Sequence, residues 1–212
     1  MGSDRTSTVA LALVLASASP RRRDLLAAAG IAHVIDPVQV DEGRLTGEAP
    51  AAYVARVALL KAEAGAARHA GRLVVGADTT VVLGNEVFGK PRDAADAERM
   101  MTALAGRAHE VLTGLAVVGQ GRRLSHVERT TVWIGPMRPS EIAAYVRTGE
   151  PLGKAGGYAI QGWASRFVPR IAGSYTNVVG LPVAALVDLL AQFAWTDEPA
   201  DPLDLPDSIR YS

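Results

Sequence analysis

The strongest constraint on the fold lies in "HEVLTGLAVVGQGRRLSHVERTTVWI", His109 to Ile134, where two long alternating runs meet at Gln120-Gly121. Alternation over that length belongs to strands with one face buried. A two-residue polar and glycine turn between them joins the strands as an antiparallel hairpin. Any fold for this chain must therefore contain a sheet with a long antiparallel centre. The first third of the chain asks for something different. Leu11 to Ala16 reads as a strand, followed by Ser19 at an N-cap position and Pro20 at the first helical position, with Gly30 ending the helix. Then come the apolar piece "HVIDPV", the acidic pair Asp41-Glu42, and an amphipathic helix from Pro50 to about His69. Strands alternating with helices favour parallel pairing, so the expected architecture is α/β with a mixed twisted sheet flanked by helices.

Further elements fill in that outline. Leu73 to Val75 reads as a strand that breaks at Gly76 and delivers Asp78-Thr79 to its carboxyl end, and Gly84-Asn85 reads as a turn between two short strands. Asp93 to Leu104 has helical periodicity, stopped by Gly106. A helix from about Pro139 to Val146 precedes the glycine-rich "GEPLGKAGGYAIQG", and Pro182 opens a last helix to about Phe193. A single domain over residues 1–195 is expected, with a loose tail over 196–212 that is rich in Asp and Pro.

Composition excludes several classes. Across 212 residues, 22 basic and 22 acidic side chains balance, so there is no global field to attract nucleic acid or an anionic membrane. With no cysteine there are no disulfides, thiolate nucleophiles or thiolate metal sites. No later apolar run reaches the roughly 18 residues of a spanning helix. The opening Val9 to Ala18 could be a secretory signal ending in Ala16-Ser17-Ala18, or a buried strand feeding a loop and helix. The strand reading is preferred, because cleavage would remove the strand leading into "SASPRRR".

Two tempting motifs fail on chemistry, and a third is absent. "GNEVFGKP", Gly84 to Pro91, has the spacing of a phosphate-binding P-loop, but Pro91 stands where a hydroxyl must meet magnesium. "HEVLT" lacks the second histidine of a zinc protease, and no G-x-S-x-G elbow occurs. His33, His69 and His126 are scattered and read as surface or hydrogen-bonded residues.

What remains is a set of polar groups at the ends of apolar elements. Ser17, Ser19, Arg21 and Arg22 sit at a strand-to-helix junction, where backbone N–H groups and the helix dipole favour an anion. Glu42 and Asp78 each follow an apolar run, and carboxylates from separate elements make the oxygen-rich site that Mg²⁺ or Mn²⁺ prefers. Lys61 and Lys90 would add positive charge for a polyphosphate. The glycines around Lys154 and Gln161 would let backbone approach a ligand closely.

Together these stretches resemble the Maf family of nucleoside triphosphate pyrophosphatases. The matching blocks are "LASASPRRRDLL", "VDE", "YVARVALLKAEA", "VVGADTTVVLGNEVFGKPRDAADAERMMTALAGRAHEVLTG", "EPLGKAGGYAIQG" and "GSYTNVVGLP", in that order, from about Val14 to Leu190. The resemblance implies a fold like that of the inosine-triphosphatase group, two lobes around a nucleotide cleft, and a homodimer. It implies cleavage between the α- and β-phosphates of a nucleotide. "GGYAIQG" resembles the branch that prefers dTTP and UTP, which makes Gln161 the base selector, with Arg21 and Thr79 at the matching specificity positions. Asp78 matches the family's proton acceptor.

The expected mechanism holds a divalent ion on Glu42 and Asp78, while Arg21, Arg22, Lys61 and Lys90 orient the phosphates. An ordinary aspartate, with a pKa of about 3.9, is a poor base near neutrality, so metal-assisted activation of water is expected. Trp163, where relatives carry a small turn residue, is expected to fill the core rather than cover the base. The nearest rivals are a 7-methyl-GTP or broad-specificity enzyme of the same family, and a nucleotide-binding regulator of division. The cytoplasm is the expected location, with no nucleic-acid or membrane partner.

Overall fold

A computed structural model describes residues 12–195. The N-terminal segment ahead of residue 12 and the expected tail over 196–212 lie outside the described residues. One seven-stranded mixed sheet runs through the described chain in the order β2-β1-β3-β5-β6-β7, with β4 paired to β3. The strands are β1 (Leu13–Leu15), β2 (His33–Ile35), β3 (Val74–Leu83), β4 (Glu86–Phe88), β5 (Ala108–Gly119), β6 (Arg122–Trp133) and β7 (Arg170–Ala172). β1 pairs parallel with β2 and β3, while the pairs on the other side of β3 are antiparallel. Six α-helices accompany them: α1 (Pro20–Ala28), α2 (Pro50–Ala66), α3 (Ala94–Leu104), α4 (Pro139–Arg147), α5 (Tyr175–Val179) and α6 (Val183–Ala191).

The described part of the opening apolar run contains a strand, Leu13–Leu15. Leu13 to Ala16 have no exposed surface, as expected for a parallel strand covered on both faces. The long hairpin is also as expected: Gln120 and Gly121 both take positive φ, 50° and 70°, the two-residue turn that matches strand twist.

One expectation is corrected. β3 does not break at Gly76; it runs ten residues from Val74 to Leu83, so Asp78 and Thr79 sit mid-strand. Gly76 serves close packing instead. A Cβ there would lie 2.1 Å from the Ala58 carbonyl oxygen, and one at Gly114 would lie 2.1 Å from that of Val54. The two missing side chains let α2 lie flush on β3 and β5.

Side-chain alternation then sorts the core. Val75, Ala77, Leu115 and Val117 point to the face covered by Leu186, Leu189 and Leu190 of α6. Ala116 and Leu112 point to α2, against Ala58, Ala62 and Val54. A second apolar cluster gathers Val81, Val111 and Val132 with Met100, Met101 and Leu104 of α3 and Ile142 and Tyr145 of α4. The sheet thus carries two lobes, one around α1 and α6 and the other around α3 and α4.

Candidate active site

The site begins at a gap in the sheet. On one edge of β3, β1 pairs with Val74 and Val75, and β4 pairs with Val81 to Leu83. Between them, Gly76 to Thr80 have no strand neighbour on that edge among the described residues. A cavity of about 340 Å³ opens there, which is how Asp78 and Thr79, on opposite faces of one strand, both border it. Ser17, Ser19, Arg21, Arg22, Glu42, Lys61, Lys90, Lys154 and Gln161 line the same cavity. Residues from 17 to 161 in the sequence converge on one concave, polar space.

On one side lies a carboxylate–ammonium–carboxylate cluster. The flush packing of α2 brings Lys61 down to the sheet, where its Nζ donates to Asp78 Oδ1 at 2.8 Å. The same Nζ is 2.9 Å from Glu42 Oε1. Lys61 and Asp78 are buried, whereas Glu42 comes from a loop and is exposed. That loop is tied to α2: Tyr53 donates to the Glu42 carbonyl, and Arg56 donates to both Glu48 oxygens and to the Gly43 carbonyl. The paired guanidinium holds the Glu48 carboxyl down to about 2.

The facing wall is cationic and pre-organised. Ser19 occupies the N-cap position of α1 with Pro20 behind it, yet its hydroxyl makes no capping bond. The Ser19 N–H instead donates to Ser17 Oγ at 3.3 Å. Arg22 is buried and spans three elements: Nε donates to the Gly180 carbonyl at 2.8 Å, and the terminal nitrogens to Ser17 Oγ and Thr79 Oγ1, each at 3.1 Å. These bonds use three of its five donors, leaving one on each terminal nitrogen. Burial pulls its pKa down, opposed by the charges of Asp78 and Glu42. Arg21 is also lowered by burial, with Nε 3.4 Å from the Val179 carbonyl. Thr79 Oγ1 additionally pairs with Thr113 Oγ1 at 2.9 Å, so its hydroxyl is committed to protein partners.

Lys90 and Gln161 are exposed on the rim, while Lys154 is half-buried and donates to the Glu150 carbonyl. Burial lowers the Lys154 pKa, and Arg21 repels it further. Trp163 does not line the cavity; it stacks on Tyr145 at 5.4 Å and 14°, within the second apolar cluster. His33, His69 and His126 pair with Ile31, Asp36 and Glu128 and do not line the cavity, as their scatter suggested.

Sequence reasoning missed three parts of the site. Tyr158 forms buried floor, 2.7 Å from His109 Nε2. The turn at Val179 and Gly180 supplies the carbonyls that hold both arginines. Glu150 organises the glycine-rich loop. "GSYTNVVG" and "GEPLGK" were visible as blocks, but nothing local shows that backbone carbonyls or a loop glutamate would be the contributing groups.

The Glu42–Lys61–Asp78 cluster and the arginine wall fall within a stretch that matches the model of the Maf-like protein family over residues 12–193. The chain belongs to the Maf family. A relative from Anaeromyxobacter sp. (strain Fw109-5), named a dTTP/UTP pyrophosphatase, is 54% identical over 187 residues, 86% of this chain and 89% of that protein. Maf relatives of the same name from Geotalea uraniireducens (strain Rf4) and Symbiobacterium thermophilum are 51% and 48% identical, covering 84% and 86% of this chain and 93% and 94% of their own. The solved Ham1 protein of Staphylococcus aureus aligns with 57% of this Maf chain and 71% of its own, at 16% identity and a TM-score of 0.39, too slight a likeness to weigh in the fold.

Proposed function

We propose that this Maf protein hydrolyses dTTP and UTP to the monophosphate and pyrophosphate in the cavity at the β3 gap. The observation that carries the reading is the opposition, within one cavity, of the Glu42–Lys61–Asp78 cluster and the Arg21–Arg22 wall. A triphosphate needs fixed cations along its chain and a proton acceptor beside the attacked phosphorus, and the two walls offer these separately. Relatives about half identical to the chain carry the matching name.

The donor set suits Mg²⁺ or Mn²⁺. Glu42 and Asp78 each give one oxygen to Lys61 and keep the other without a protein partner among the described residues. Those residues hold no group of three or more side chains able to cage a metal. Two carboxylates completed by phosphate oxygens and water are the usual way a magnesium ion is held at a phosphoryl site. Bound there, the ion would neutralise phosphate charge and make water more acidic.

The chain's own residues do the rest. The free N–H groups of Arg22, with Arg21, Lys90 and Lys154, bind and align the phosphates. Asp78, held by Lys61, accepts the proton of the attacking water as its oxygen bonds to phosphorus, and the pyrophosphate leaves with the electrons of the broken P–O bond. Gln161 offers both donor and acceptor atoms on one amide, matching the N–H and carbonyl edge of uracil or thymine. Arg21 and Thr79 tune that choice, Thr79 through its bond to Arg22. The cytoplasmic setting and homodimer implied by the resemblance, and a catalytic unit spanning residues 1–195, belong to the same proposal.

The test is pyrophosphate release from dTTP, UTP, CTP, dATP, GTP and 7-methyl-GTP, with Mg²⁺ or Mn²⁺ and with EDTA. Turnover confined to dTTP and UTP and lost with EDTA is expected. Turnover of 7-methyl-GTP overturns the base preference, and silence in folded protein overturns the activity in favour of a nucleotide-binding regulator.

A further inference from the structure

The loop carrying Gln161 contains no regular strand or α-helix, yet its backbone is pinned on both sides of that residue. Two positions before it, the Ala159 N–H donates to the Tyr145 hydroxyl at 3.3 Å. Two positions after it, the Trp163 N–H donates to Glu150 Oε2 at 2.9 Å. The two acceptors are themselves joined, because the Tyr145 hydroxyl donates to Glu150 Oε1 at 3.1 Å. Tyr145 is fully buried on α4, with burial and the Glu150 charge both raising its pKa. The Glu150 carboxylate faces no cation within ion-pair distance among the described residues, so both its oxygens serve neutral donors. It also lies against Gly162, where a Cβ would be 2.3 to 2.5 Å from the carboxylate atoms.

We propose that Glu150 and Tyr145 are positioning residues for base selection: a carboxylate–phenol bridge that fixes the Gln161 backbone at the cavity rim. The chemistry requires these groups. Only a carboxylate accepts on both oxygens; a glutamine accepts on one and must turn an N–H₂ toward a donor. The Tyr145 hydroxyl accepts from Ala159 and donates to Glu150 at the same time, which a phenylalanine ring cannot do. The proposal rests on the reading of Gln161 as base selector, since a clamp on that backbone matters to selectivity only if the side chain meets the base.

The experiment measures kcat and KM for dTTP and dGTP in the full chain, for wild type, Glu150→Gln, Tyr145→Phe, Gly162→Ala and Gln161→Ala, and for Glu150→Gln combined with Gln161→Ala. Expected is a loss of dTTP preference over dGTP of about tenfold in each clamp variant, mainly through the KM for dTTP, with no further loss when Glu150→Gln is added to Gln161→Ala. Gly162→Ala reaches the same end by displacing the carboxylate with a methyl group. Equal losses on both nucleotides, or losses that multiply in the double variant, would mean that Glu150 only supports the fold and would overturn the proposal. Wild-type protein without dTTP preference would overturn the functional reading instead. The clamp is then judged by amide hydrogen exchange over residues 158–163: faster exchange in Glu150→Gln and Tyr145→Phe supports it, and unchanged exchange overturns it.

Discussion

The two sides of the cavity are built differently. Lys61 and Asp78 stand on a helix and a strand pressed together through Gly76 and Gly114, with backbone against backbone. Lys154 and Gln161 stand on a loop held by a few side-chain hydrogen bonds from Tyr145 and Glu150. The first arrangement suits the positional tolerance of about 0.5 Å that a catalytic constellation requires. The second fixes a rim while leaving its side chains variable. On the proposed roles, a proton acceptor seated on a strand and a base selector seated on a loop would allow one scaffold to keep a reaction and change its substrate.

This contrast can be broken most directly at Asp78. Asp78→Asn should lower kcat by about 10²–10⁴-fold in protein that remains folded. A variant with near wild-type kcat would remove Asp78 from the chemistry. Next in size is the packing that places Lys61. Gly76→Ala drives a methyl group into the Ala58 carbonyl, and should cost about 3 kcal/mol or more in denaturant unfolding. A cost near zero would mean that α2 can lift from the sheet without consequence.

A third test addresses the floor of the cavity. Burial holds the His109 imidazole down to about 4, from an ordinary value of 6.5, and its Nδ1 has no hydrogen-bond partner. Between those values the unfolded chain binds a proton that the folded protein refuses. Stability contributed above pH 6.5 is therefore lost as the pH falls toward 4, by about 3 kcal/mol at most. His109→Gln, which does not titrate, should flatten that part of the stability curve. An unchanged slope would show that another group controls it. The smallest effect is expected on the loop and rim side, where Lys90 is exposed and makes no ion pair among the described residues. Lys90→Ala should raise the KM for dTTP roughly tenfold or less and leave kcat within about twofold. A large fall in kcat would move Lys90 from the binding side to the chemical side.

The same contrast explains what could be read in advance. The hairpin and β1 were legible because alternation and burial dictate them locally. Arg22, Glu42, Lys61 and Asp78 were legible as candidate charges at the ends of apolar elements, but their joint role came only with the family resemblance, since Glu42 lies in an irregular loop whose direction no periodicity gives. Gly76 was misread as a strand end because a glycine that breaks a strand and one that admits a helix look identical in sequence. Only the register of α2 on β3 separates them. β7 and α5, three and five residues long, fall below the length at which any period can be recognised. Glu150 left no local signal, because its partners are backbone N–H groups that every sequence contains.

The central proposed step is cleavage of a nucleoside triphosphate by water between its α- and β-phosphates in the β3 gap. Phosphorus NMR of dTTP incubated with the protein and Mg²⁺ reads that bond directly. Equimolar dTMP and pyrophosphate, absent with EDTA and absent with Asp78→Asn, is the predicted result. Formation of dTDP and inorganic phosphate, or full conversion by Asp78→Asn, would contradict it.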